Sequence, residues 1–213
     1  DTPTSVNVCA ELIGIPGRGG GGSKGGPEPP ALEVPPDFDL GTQVAFAPKP
    51  TVKKGNIAAH EISEEGPKRD IVRDRWNDLR SRLKNDSACL DWLSAGSRGA
   101  LVRDSSLLAG TRIGVASRIE LSGNNAPGIA AVADLPGWDI VVNGQGAFYY
   151  GGNIPGAGQS IASNSVNGQV FVLLHELAHV AQANISHDDG NPATNAQNNA
   201  TIWSKCQKTI IGR

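Results

Sequence analysis

Two histidines and a glutamate in Val172-Leu173-Leu174-His175-Glu176-Leu177-Ala178-His179-Val180-Ala181 are spaced for metal chemistry. His179 is four positions after His175, a rise of about 6 Å and just over one helical turn, so both imidazoles leave one helix face. From there two ring nitrogens can share one ion at about 2.0–2.1 Å, taking two corners of a zinc tetrahedron. Glu176 stands beside the first histidine and can lean towards that ion without ligating it. It is expected to act as general base, taking a proton from the attacking water and returning it to the leaving group. The flanks are apolar and the two variable positions, Leu177 and Ala178, are uncharged, the helical setting this pattern requires. Burying two imidazoles and a carboxylate there without a partner would be costly, so the sequence predicts bound Zn2+.

A third protein ligand is needed, and the downstream sequence narrows it. No glutamate follows residue 179, so a downstream glutamate cannot serve. The longer pattern His-Glu-x-x-His-x-x-Gly-x-x-His also fails, because Gln182 holds the glycine position and Ile185 the last histidine position. The remaining donors are His187, Asp188 and Asp189. Asp189-Gly190 is a turn signal that can fold the chain back towards the metal. Imidazole is the commonest zinc ligand, which favours His187. The two aspartates are alternatives, and an unused acidic neighbour can hold an imidazole in one tautomer.

The elements that must position these groups follow from periodicity. The motif helix is the longest apolar one, about Val166 to Ile185. Val72, Trp76, Leu79 and Leu83 recur at helical steps in a charged background and predict an amphipathic helix from Lys68. Asn85-Asp86-Ser87 ends it, and Asp86 or Ser87 can cap a short helix carrying Leu90 and Leu93. More helix follows Ser97. Residues 111–120 alternate and read as a strand, as do Trp138–Val142 and Gly146–Tyr150, with Gly/Asn/Pro turns between them. A last helix from about Thr194, its expected cap, puts Ala200, Trp203, Cys206 and Ile210 on one side. Helices, short strands, then helices again indicate an α+β fold, with helices on a small mixed or antiparallel sheet and the motif helix central. That domain is assigned to residues 59–213. Residues 1–58, with the run Gly19–Gly22 and the pairs Pro29-Pro30 and Pro35-Pro36, read as a flexible arm.

Bulk properties exclude some partners. A net charge of −2 and a pI near 6.1 leave no basic footprint for nucleic acid or anionic membrane. No apolar run reaches the roughly 18 residues of a membrane span. The chain lacks Met and starts with polar residues, so it is expected to be an exported protein whose signal peptide has been removed. Cys9, Cys89 and Cys206 form no CxxC pair. Cys89 with Cys206 is the expected disulfide, since each lies in a segment that reads as helix, and a disulfide suits an oxidising compartment. A monomer is assumed.

The segment His175–His179 with its apolar lead-in resembles the zincin superfamily of metallopeptidases. A longer stretch, about residues 85–210, resembles secreted bacterial zincin-like proteins of unassigned activity. The resembling pieces are Gly146-Ala147-Phe148, Leu173 to His179, Ile185 with Asp188 three residues on, Asn198-Asn199, and Cys206. This resemblance implies a zinc endopeptidase acting on extended polypeptide, with an aspartate as third ligand, for which Asp188 is chosen. It also implies an edge strand above the motif helix where substrate adds as a strand, assigned to Gly146–Tyr150. Zincins supply a Tyr or His to the developing oxyanion. With no tyrosine after the motif, the candidates are Tyr149, Tyr150 and His187. His60-Glu61 reads as a surface pair. The alternative from another class is an exported, non-catalytic binding protein that keeps zinc as a structural clip.

Overall fold

The computed structural model describes residues 51–188 and 191–212, and Cys9 and most of the N-terminal arm lie outside them. The described chain is α+β, as the element order predicts. Strands β1 (Val52–Lys54) and β2 (Ile57–His60) form an antiparallel hairpin with Val52 opposite Ala59. Residues 52–58, assigned by the sequence to the arm, thus belong to the fold. A three-residue strand beside a Gly/Pro-rich run has too little alternation to be recognised, and burial of Ile57 and Ala59 specifies it.

Helix α1 (Pro67–Leu83) buries Val72, Trp76, Leu79 and Leu83, the four residues whose spacing predicts it. Asp86 caps α2 (Ser87–Ser94), accepting from the Cys89 amide at 3.2 Å. The helix expected after Ser97 divides into α3 (Ala100–Arg103) and α4 (Ser105–Ala109), because Asp104 is extended and its carboxylate caps α4. The strand expected over 111–120 also divides. Strand β3 (Ile113–Ala116) and strand β4 (Arg118–Leu121) separate at Ser117, whose amide donates to the His60 carbonyl at 2.8 Å.

That exchange of partners makes two sheets. The outer one is antiparallel in the order β1-β2-β4-β5, where β5 is Asn124–Asn125. The inner one has the order β3-β7-β6, with β6 spanning Ala131–Leu135 and β7 Trp138–Asn143. β3 runs parallel to β7, and β6 runs antiparallel to it. Both faces of the inner sheet are covered. Ile113, Ile140 and Val142 belong to the helical core, while Val132 and Val141 pack with Ile57, Ala59 and Ile119. This explains why Ile140-Val141-Val142 is an unbroken apolar run. It also explains why β6 is hard to read, since its alanines are poor strand formers and are placed by packing alone.

The segment Gly146–Tyr150, read as a strand and assigned as the substrate edge, is not one. Ala147–Tyr150 form the short helix α5. Phe148 is fully buried, and the helix carbonyls are occupied: Ser163 Oγ donates to Ala147 O at 2.7 Å and Gln169 Nε2 to Phe148 O at 3.0 Å. The strand alongside the motif helix is β6.

The motif helix α6 (Val166–Val180) is capped by Ser165, whose hydroxyl accepts from the Gly168 amide at 3.0 Å. Every residue from Gly168 to Val180 is buried, which makes α6 the centre of the fold. It stops five residues before the expected Ile185. The Gln182 amide donates to His179 O and the Ala183 amide to Ala178 O, each at 2.9 Å, the paired bonds of a Schellman turn. Gln182 carries the left-handed conformation that turn needs, with φ of 53°. The position where the longer metal pattern has glycine therefore makes a glycine-like turn with another residue.

Helix α7 (Pro192–Ile211) begins before the expected Thr194. Asn191 is the cap, accepting from the amides of Ala193 and Thr194 at 3.0 and 3.3 Å, and Pro192 sits in the first turn, where its missing N–H costs nothing. Its buried stripe is Asn195, Asn198, Asn199, Ile202, Cys206, Thr209 and Ile210; Ala200, expected inside, is exposed. The far end is anchored by the Cys89–Cys206 disulfide and by Asp86, whose carboxylate accepts from the amide and hydroxyl of Thr209 at 2.9 and 2.8 Å.

Candidate metal centre

The rigid part of the site is α6, which presents His175 and His179 from one face, with ring centroids 4.8 Å apart. Their Nε2 atoms approach to 3.0 Å. The Schellman turn then reverses the chain, and six residues after Gln182 Asp188 enters the same space. Its Oδ2 lies 3.1 Å from His175 Nε2 and 3.7 Å from His179 Nε2. All three side chains are buried, and they form a group able to hold a metal ion.

The spacing of these donors fits one ion. Ligands about 2.0–2.1 Å from a tetrahedral metal lie about 3.3 Å from one another, and the observed separations of 3.0, 3.1 and 3.7 Å bracket that value. The donor chemistry agrees, being two imidazole nitrogens and a carboxylate oxygen. Asp188 Oδ1 is buried with no hydrogen-bond partner among the described residues. A buried carboxylate oxygen left in that state is expensive unless a cation accounts for it.

The electrostatics point the same way. Burial would raise the Asp188 carboxyl, yet hydrogen bonds and charge from both imidazoles hold it well below the usual carboxylate range. Burial pushes the His175 ring down, but the hydrogen bond and charge of Asp188, helped by Glu176 and Asn199, outweigh it and raise the ring above its ordinary value. Burial dominates at His179 and, despite Asp188, holds that ring below it. Without metal, the pocket keeps an ionised aspartate and favours a proton on His175, which a cation would displace.

Asparagines of α7 brace the site. Asn198 brackets Ser186, accepting from its amide at 3.1 Å and donating to its carbonyl at 2.7 Å, which fixes the loop that delivers Asp188. Asn199 Oδ1 lies 2.7 Å from His175 Nδ1. Asn199 Nδ2 donates to Asn195 Oδ1 at 2.7 Å, and Asn195 Nδ2 to Asp188 Oδ2 at 3.2 Å.

Of the predicted site residues, the structure brings His175, His179 and Asp188 together, with Glu176 buried on the same helix. His187 is exposed and lies outside the cluster, and Asp189 is outside the described residues. Neither candidate oxyanion tyrosine directs its hydroxyl to the cluster. Tyr149 donates to Lys68 O at 2.9 Å, and burial raises its phenol. Tyr150 is exposed and meets Lys68 Nζ at 3.3 Å. His60, read as half of a surface pair with Glu61, instead faces Glu120 across the outer sheet at 3.2 Å. Sequence reasoning gave no role to Asn195 or Asn199. A signal existed: Asn195, Asn198, Asn199, Ile202 and Cys206 share one helical stripe, and amides on a buried stripe need partners.

In comparisons with known proteins, no family model matches the chain, and no curated protein or solved structure matches it significantly.

Proposed function

We propose that this protein is a zinc-dependent metallopeptidase, an endopeptidase of extended polypeptide. The observation that carries the reading is the convergence of His175 Nε2, His179 Nε2 and Asp188 Oδ2 within 3.7 Å, with Glu176 adjacent on the same helix. Two imidazoles and one carboxylate are a donor set suited to zinc, and three protein ligands leave a fourth position for chemistry. Zinc bound there would polarise a substrate carbonyl and lower the pKa of a water molecule towards neutrality. His175, His179 and Asp188 would hold the ion. Glu176 takes a proton from the attacking water and passes it to the leaving nitrogen, and its burial keeps bulk water from competing for that proton. Support for export comes from the Cys89–Cys206 disulfide, and among the described residues no helix is long and apolar enough to cross a membrane.

The test is Glu176→Gln, a near-isosteric change that removes the base. The variant should keep stoichiometric zinc and lose hydrolysis of a denatured protein by about 10²- to 10⁴-fold. Cleavage at the wild-type rate would overturn the assigned role.

One observation favours a second reading, an exported non-catalytic binding protein in which zinc is a structural clip. The three donors and Glu176 are each at most 3% exposed, as in a closed site. X-ray absorption of the zinc-loaded protein separates the two: a fourth protein ligand in place of water indicates the clip.

A further inference from the structure

A carboxylate can only accept hydrogen bonds, and that fact orients a chain of side chains beneath the metal centre. Because Asp188 accepts, Asn195 must present its NH2 group to it. The carbonyl of Asn195 then faces Asn199, which must answer with its own NH2. That leaves the Asn199 carbonyl against His175 Nδ1, so this ring nitrogen must carry the hydrogen. The three contacts, at 3.2, 2.7 and 2.7 Å, fit that one direction of donation throughout. With that hydrogen held on Nδ1, Nε2 is the nitrogen left to face the metal, which would replace the hydrogen that Nε2 shares with Asp188 Oδ2 at 3.1 Å.

We propose that Asn195 and Asn199 are positioning residues of this centre, forming a directional amide relay through which Asp188 holds a hydrogen on His175 Nδ1 and so leaves Nε2 as the metal-facing nitrogen. The inference rests on the metal-centre reading above and adds to it a coupling between two ligands on different elements. Asn195 and Asn199 are four residues apart on α7, the spacing that lets two side chains touch on a helix. Both are buried on the stripe that also carries Ile202 and Cys206, where apolar residues would be the simpler choice. An amide there is stabilised only if both its ends are satisfied, and in this chain they are. Asn195 reaches the His175 ring through Asn199, whose amide touches Asn195 at one end and His175 at the other.

The test is a mutant cycle of Asn195→Ala, Asn199→Ala and the double variant, with zinc affinity measured by chelator competition. Each single change should weaken binding by about 10- to 100-fold. The double variant should be no weaker than the worse single one, because either substitution already breaks the relay. In parallel, ¹⁵N NMR of the metal-free protein at pH 9 reads the His175 tautomer. Wild type should carry a hydrogen on Nδ1, and Asn195→Ala should lose part of it to Nε2, which faces Asp188 directly, although the variant leaves the Asn199 contact in place. Independent, multiplying losses together with an unchanged His175 tautomer in Asn195→Ala would overturn the relay. Where an alanine variant does not fold, the serine counterpart replaces it, since serine cannot bridge the same span. Wild type that fails to bind zinc would sink the metal reading instead, and the tautomer measurement would still decide the relay.

Discussion

Removing the Cys89–Cys206 bridge should be the most damaging change available outside the metal centre. The bridge joins residues 117 positions apart, and the loop it closes contains α6, all three donors and the asparagines that brace them. In the chain-entropy account, a loop of that length restrains the unfolded chain by about 5 kcal/mol. Both cysteines are fully buried, so replacing them by alanine also leaves two small voids that add to the loss. At about 2–4 °C per kcal/mol for a fold of this size, Cys89→Ala/Cys206→Ala should melt about 10–20 °C below wild type. The assay is urea and thermal unfolding with and without a chelator, comparing midpoint and slope. A rise in slope is also expected, because the uncrosslinked unfolded chain exposes more surface. A loss under about 1 kcal/mol in the metal-free protein would refute the reasoning. It would mean that the Asp86–Thr209 contacts and helix packing hold α7 without help.

Four further outcomes follow from particular residues. The His175 ring, raised above its ordinary value against the pull of burial, must lose its proton when metal binds. Zinc affinity should therefore climb with pH through and above the normal imidazole range, with a net release of protons on binding in calorimetry across buffers of different ionisation enthalpy. Asp188 titrates below its unfolded value, so its contribution to metal-free stability is intact above about pH 4 and lost as pH falls through the lower folded value. Acid unfolding followed by circular dichroism should steepen there in wild type and flatten in Asp188→Asn. Gln182→Gly relieves a left-handed backbone at φ 53° and should stabilise by about 0.5 kcal/mol, after glycine's extra freedom in the unfolded chain is deducted. Calorimetry should show a rise of about 1–2 °C. Gly168→Ala should do the reverse, because its Cβ would lie 1.9 Å from the Ala162 carbonyl; a cost of about 1–3 kcal/mol is expected in urea unfolding.

Local chemistry fixed a good deal. A histidine pair one helical turn apart on an apolar run specifies a shared face, because helix geometry is the same in every protein. The four-residue stripe of α1, the Asp86 cap and the β7 run were legible for the same reason: each depends on neighbours within a turn or a pleat. Tertiary packing decided the rest. Residues 111–120 form one extended stretch, yet Ser117 hands it from one sheet to another, which only the position of β2 determines. Ala147–Tyr150 is a helix because Ser163 and Gln169 satisfy its carbonyls. Asp188 joins the histidines because Gln182 turns left-handed and Asn198 grips Ser186. Asn195 and Asn199 acquire a role only once α7 is laid against α6, since an amide's meaning is set by what stands at each of its ends.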